Sequence, residues 1–396
     1  GWEGSALVIA FMAGFWEAEQ SGGRVGMRWL LAQRVSGMLL LSGLILMDAR
    51  PELALFLMVA AALVRAGLMP FQGWLHDSAR APASAKALVY GVGSGLAAIH
   101  LLMRLSPQIL HSPVVMQVLG IVGVASVALG LLAGLQQHDP DKRLSWLFVI
   151  LGALAFLGLA LGDPVAASLL VTAQCLVMGG LTLASGSLVS VGEGSATVWR
   201  SKRAFWALGV TWVLPASVAY VGLGRLFGSV GQSSLDTVIL VAALLGPVVS
   251  GWIAQRTYQD FRRHPVELAG PMPFADSVGV VIGPALLAVV MLLLGVLTMV
   301  LHGLVAAGGW SGMAWAGAAV AGAVLASVLA WLYSRMRSKL FFGRLSRTQR
   351  FMEWMADTGL GIGELVVQLP LYLGRVLGVT LWRLVGVGII GTLAED

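Results

Sequence analysis

Apolar runs of membrane-spanning length recur along this chain, joined by short polar segments. They lie near 2–15, 28–47, 53–71, 87–103, 114–135, 144–162, 165–190, 204–227, 236–255, 277–301 and 314–334, eleven in all. A spanning helix needs about 20 mostly apolar residues. Strands of a membrane barrel would alternate every second residue, and runs such as LFVILGALAFLGLALG do not. The pattern predicts an all-α, polytopic membrane protein of about 11 transmembrane helices, some of them broken by proline. One interruption stands out. Arg65 lies inside an apolar run, Pro70 breaks it, a polar segment runs from Gln72 to Lys86, and the apolar pattern resumes at Ala87. A charge in a spanning helix beside a proline break is costly in lipid and marks a candidate site.

The end of the chain reads differently. After the basic stretch RMRSKLFFGRLSRTQR, Glu364, Arg375 and Arg383 punctuate an otherwise apolar segment with Pro370 near its middle. That spacing suits an amphipathic or lateral helix on the membrane surface better than a clean span. The expected division is therefore a transmembrane domain over 1–334 and a basic loop with a lateral-type helix over 335–396. The first residues, GWEGSALVIAFMAGF, begin in mid-helix without an initiator Met, and further spans are expected upstream.

Composition agrees with the pattern. The chain is 58% hydrophobic and 11% charged, against roughly 25% charged in soluble domains, and its mean hydropathy is +0.87. The basic residues set an orientation. Loops in odd positions hold 18 Lys and Arg and loops in even positions hold Arg50, Arg104 and Arg225, which predicts odd loops on the cytoplasmic side. The net charge of +6 is thus topology and not a nucleic-acid signal. The first partner is the lipid bilayer, in a membrane expected to be the bacterial inner one. Trp16, Trp29, Trp74, Trp146, Trp199, Trp310 and Trp331 fall near expected span ends, as an interfacial aromatic belt would. A single cysteine, Cys175, excludes an internal disulfide, a cysteine-ligated iron–sulfur cluster and a four-cysteine zinc site.

No soluble-enzyme motif is present. GEGSATV after Val191 lacks a preceding strand and a following GK[ST]. The histidines His76, His100, His111, His138, His264 and His302 are not at metal-ligand spacing, and most fall at span ends where a solvated role is expected. No metal, cofactor or catalytic residue is assigned. What remains is a sparse set of polar groups within the spans: Glu3, Arg34, Arg65, Lys86, Tyr90, Gln174 and Arg225. Snorkelling or a structural pair accounts for Arg225 and Lys86. Glu3 and Arg65 are the stronger candidates for a coupled ion pair, in which the carboxylate takes or releases a proton. Arginine does not practically deprotonate, so Arg65 would hold or gate charge without carrying it.

RAGLMPFQGWLHDSARAPASAKALVYG resembles the central motif of the antiporter-like, proton-translocating membrane subunits of respiratory complex I. Pro70, Trp74, Leu75, Asp77, Ala81, Pro82, Ala87 and Leu88 match that motif. Trp2-Glu3 is similar to the family's Trp-Glu with its key glutamate, HDPDKRLSW to its Asp-x-Lys-Arg loop with the aspartate displaced by one, and LASGSLV to the end of a later motif helix. The likeness covers about residues 1–190, with the remainder similar in pattern to the large, subunit-L-type member. It implies the family's fold, a place among other membrane subunits, and quinone, flavin and iron–sulfur chemistry carried by those other subunits. It also implies losses. The family's central lysine aligns with Arg65 and its motif histidine with Tyr90. Its later lysine and histidine align with Met178 and Gln174. Of the usual carriers Glu3 is retained, and the residues assigned to a remnant proton path or ion pair are Glu3, Arg65, Tyr90, Gln174 and Lys86. Two other readings are carried. One is the membrane subunit of a two-part inorganic-carbon uptake system, coupled to a zinc-bearing soluble cytoplasmic partner. The other is a purely structural assembly subunit.

Overall fold

In the computed structural model, residues 2–15, 22–78, 83–137, 139–189, 215–231 and 234–263 are described, with five isolated positions further on. The expected spans at 277–301 and 314–334, the basic loop and the lateral helix lie outside the described residues, as do Trp16, Trp199, Trp310, Trp331, His138, His264 and His302. Every element described is helical. In order they are α1 (Trp2–Phe15), α2 (Gly22–Leu46), α3 (Pro51–Ala66), α4 (Gly73–Asp77) and α5 (Ala83–Leu88), which continues through a π-helical turn at Val89–Gly93 into α6 (Gly95–Arg104). Then follow α7 (Ser106–Leu110), α8 (Pro113–Gln136), α9 (Pro140–Ala160), α10 (Pro164–Val189), α11 (Pro215–Gly228) and α12 (Ser234–Arg263). Six helices in this set are long and apolar enough to cross a membrane.

Proline sets the helix starts. Pro51, Pro113, Pro140, Pro164 and Pro215 each occupy the first position of a helix, where the missing N–H costs nothing and the fixed φ suits the first turn. Asp139 and Asp163 add side-chain caps. Asp139 accepts from the Asp141 N–H at 2.9 Å, and Asp163 accepts from Val165 and Ala166 at 3.0 and 2.9 Å. Gly67 and Gly162 end α3 and α9 at φ +64° and +80°, a left-handed conformation that strains any residue with a Cβ.

The centre of the bundle is α9. Residues 143–150 and 152–160 are all buried, packed among α8, α10, α12, α4 and α6. A helix apolar on all sides of its length beyond the first turn can face lipid or protein, and here its neighbours enclose it. The outer faces stay apolar as well: Met38, Leu41, Leu44 and Ile45 of α2 and Ile121 of α8 are exposed, as lipid contact requires. Two cations carried by α9 and α12 serve this core. Arg143 Nε and Nη2 donate to Gln137 O at 3.0 and 2.7 Å, and Arg256 Nη1 donates to Leu135 O at 2.9 Å. Both satisfy carbonyls at the C-terminal end of α8, where positive charge is favourable.

Three sequence expectations are corrected. The polar segment after Pro70, counted with the loops, is drawn into the bundle where it is described: Gln72, Trp74, Leu75, His76, Ser78 and Lys86 are all buried, and all but Gln72 of the polar ones find partners there. Trp29, Trp74 and Trp146 are not belt residues. Trp74 Nε1 donates to Val64 O at 3.1 Å, its ring meets Trp29 edge-on at 5.7 Å, and Trp146 packs on the ring of His76. His76 is therefore a core histidine, whereas His100 and His111 are exposed.

Candidate functional site

Two polar clusters interrupt the apolar interior. The first joins α1, α2 and α3. The α2–α3 register is antiparallel: Ser36 Oγ donates to Ala61 O at 2.8 Å, and Gly43 lies so close that a Cβ there would stand 2.7 Å from Met58 Cγ and 2.9 Å from Ala54 O. Against this pair α1 lays Trp2, Glu3 and Ser5. Glu3 bonds Arg34 of α2 directly. A Cβ on Gly37 would overlap Glu3 Oε1 at 1.9 Å, so the absence of a side chain at 37 is what lets the carboxylate lie along α2. Arg65, one turn beyond the Ser36–Ala61 contact, is fully buried. Its Nη2 donates to Ser5 Oγ at 2.5 Å, and its guanidinium carbon lies 4.5 Å from the centre of the Trp2 ring, a cation–π contact. Glu3 and Arg65, expected to pair, thus share a cluster while the direct contact of Glu3 is Arg34.

The second cluster is built on the broken helix α5–α6. Lys86, Tyr90 and Ser94 recur every four residues across the π-turn, and all three are buried. Lys86 Nζ pairs with Asp141 of α9. Tyr90 Oη lies 3.2 Å from Ser78 Oγ, and its ring stands 5.3 Å from Phe148. Ser78 Oγ donates to Leu75 O at 2.6 Å. Beyond Tyr90, Gln174 Nε2 donates to Phe148 O at 3.1 Å, and a Cβ on Gly95 or Gly152 would press on the Gln174 amide at 3.1 and 3.0 Å. Tyr90 and Gln174 are thereby locked into backbone and ring contacts. Met178, one turn further along α10, is buried and carries no polar atom able to move a proton.

His76, outside the candidate spans, completes the second cluster. Its Nδ1 is hydrogen-bonded to Ser145 Oγ, and Ser145 donates to Lys142 O at 2.6 Å. The serine hydrogen is used on that carbonyl, so the geometry makes His76 Nδ1–H the donor and leaves the Nε2 lone pair facing the interior. Burial first, then nearby Lys142, depresses its pKa far below the ordinary histidine value and keeps it neutral. Sequence reading missed both His76–Ser145 and Lys86–Asp141. The signal available was the i, i+4 recurrence of Lys86, Tyr90 and Ser94, but nothing local pairs residues 55 to 69 apart. Arg225, expected to snorkel or to form a structural pair, holds Asp163 through Nε–Oδ2 at 2.9 Å and Nη2–Oδ1 at 3.3 Å, a structural pair that ties α11 to the start of α10. Among the described residues no group of three His, Cys, Asp or Glu side chains is placed to hold a metal ion.

A helical bundle of membrane-spanning length with a buried cation at a helix break, beside a second helix broken by a π-turn, defines a polytopic membrane protein with charge held in its interior. Residues 49–146 match the family described as NADH:quinone oxidoreductase/Mrp antiporter, TM. The chain is similar to NADH-quinone oxidoreductase subunit L of Pseudomonas aeruginosa, 24% identical over 212 residues that cover 48% of this chain and 34% of that protein. It is likewise similar to subunit L of Escherichia coli, 25% identical over 214 residues, 48% of this chain and 35% of that protein. NADH-ubiquinone oxidoreductase chain 5 of Cryptococcus neoformans is 25% identical over 166 residues, 37% of this chain and 25% of that one. The matched stretches span about a third or less of the length of these relatives. The resemblance to antiporter-like membrane subunits of complex I is thereby shown, and the family match falls on the central motif that contains Arg65, Lys86 and Tyr90.

Proposed function

We propose that this chain is an antiporter-like membrane subunit of a complex-I-type assembly whose own proton path is largely without titratable carriers. The observation that carries the reading is the state of the four positions where the family's carriers align. Arg65 is a cation that does not give up its proton, Tyr90 is pinned by Ser78 and Phe148, Gln174 is bonded to Phe148 O, and Met178 is apolar. The fold persists because it rests on span pattern and core packing, which these replacements leave intact. In this role the chain braces neighbouring membrane subunits. Its odd loops face the cytoplasm of a bacterial cell, available to a soluble subunit, while quinone and redox chemistry lie elsewhere in the assembly.

Proton flux in proteoliposomes holding the whole purified assembly tests this, with Glu3→Gln and Arg65→Ala compared with the parent. Pumping unchanged with the assembly intact is the expected result. Loss of coupled pumping in either variant, with assembly retained, would show that this chain still conducts or gates protons.

A further inference from the structure

Arg65 is 0% exposed, so its charged end is enclosed by protein on all sides. Its Nε and Nη1 are buried without a hydrogen-bond partner, and its Nη2 contact, Ser5 Oγ, is neutral. The Ser5 hydroxyl also donates to Trp2 O at 3.0 Å, so it orients the guanidinium from one side without supplying charge. Position in the last turn of α3 and the face of Trp2 offset part of the cost of burying this cation. The nearby carboxylate, Glu3, is engaged by Arg34. Two cations thus share one carboxylate, and the more buried of the two lacks the direct contact.

A second observation points to the same place. The Gln33 side chain is fully buried, and neither its Oε1 nor its Nε2 has a partner. From the Ser36–Ala61 contact, three residues back along α2 and four forward along antiparallel α3 bring Gln33 and Arg65 to one level of the helix seam. A buried amide and a buried guanidinium with free N–H groups, at one level of the same helix seam, are each costly unless something accepts from them.

The geometry points to a binding site for a small monovalent anion between α1, α2 and α3: Arg65 supplies charge and N–H donors, the Gln33 amide supplies a further donor, and Glu3 sets the affinity through its choice between Arg34 and Arg65. One uncompensated cation matches one negative charge; a dianion would leave the site net negative. Chloride and bicarbonate share this chemistry. The inference does not depend on the reading of transport above.

The test is equilibrium titration of the purified protein in nanodiscs with chloride, with bicarbonate and with the bulky anion gluconate at fixed ionic strength and pH, read by calorimetry and thermal unfolding. Saturable binding of chloride or bicarbonate but not gluconate is expected, and whichever binds identifies the source. Arg65→Met weakens it by about tenfold or more, the scale of one charge-assisted hydrogen bond. Glu3→Gln tightens it by removing the competing carboxylate, and Arg34→Gln weakens it by freeing that carboxylate for Arg65. Absence of saturable binding by either anion, or undiminished binding in Arg65→Met, overturns the proposal. Should Arg65→Met not fold, equal affinity in parent, Glu3→Gln and Arg34→Gln overturns it equally.

Discussion

Glu3 of α1 is bonded to Arg34 of α2, although Arg65 of α3 is the more deeply buried cation. The contact exists because position 37, one turn along α2 from residue 34, carries no side chain. Glu3 and Arg34 are both about two-fifths exposed, at 41% and 38%, so the placement of this charge at the edge of the buried cluster is decided by where a backbone leaves room as much as by which charges are present.

Substituting Gly37→Ala should push Glu3 off α2. Overpacking of this kind costs about 1–3 kcal/mol, and denaturant unfolding of the purified protein in detergent would read it. Making the same change in a Glu3→Ala background should cost far less, since the overlapping atom is gone. Equal costs in the two backgrounds would show that the carboxylate is not what Gly37 accommodates.

Lys86 is buried while Asp141 is about one-third exposed. Removal of one partner of a fully buried pair costs about 3–5 kcal/mol, and solvent at Asp141 reduces this to roughly 2 kcal/mol for Lys86→Met. The double variant Lys86→Met with Asp141→Leu should recover most of that loss, because an apolar pair leaves no orphaned charge. A double-variant cost equal to the sum of the singles would remove the pair as a coupled unit.

Asp163 has two tasks, capping α10 and holding Arg225. Asp163→Asn keeps the capping oxygen and gives up the charge. Asp163→Ala loses both and should be the more destabilising by about 1 kcal/mol, the usual worth of a cap. Thermal unfolding of the two variants side by side separates the tasks.

His76 is held neutral in the fold, its pKa depressed first by burial and then by Lys142. The unfolded chain takes up a proton near pH 6.5 and the folded one does not. The stability this group contributes is complete above about pH 6.5 and is lost as pH falls toward the depressed folded value. A His76→Gln variant should show a shallower decline of stability between neutral and acid pH than the parent. Parallel declines would mean that His76 is not the residue titrating.

The helical class and, among the described residues, the positions of six spans were legible in the sequence because they depend on a local fact, runs of apolar residues; the helix starts set by proline were not read from it. The likeness to antiporter-like subunits was legible for a similar reason, since Pro70, Trp74, Leu75 and Ala87 fall within one short stretch of sequence. Arg143 and Arg256 were legible as cations but not as partners of the carbonyls at the C-terminal end of α8. Arg256 reaches Leu135 O across 121 residues, and no spacing rule connects the two.

By itself, then, the sequence determined a polytopic helical membrane protein with buried charge at a helix break, through hydrophobic run length and proline placement. Only the tertiary structure decided that Glu3 meets Arg34, that Lys86 meets Asp141, that His76 and three tryptophans lie in the core, and that Gln33 stands level with Arg65. Those choices follow from the register between helices distant in sequence and from the space at Gly37, Gly95 and Gly152. A linear pattern records which residues are polar; which polar groups share a low-dielectric interior is set by packing.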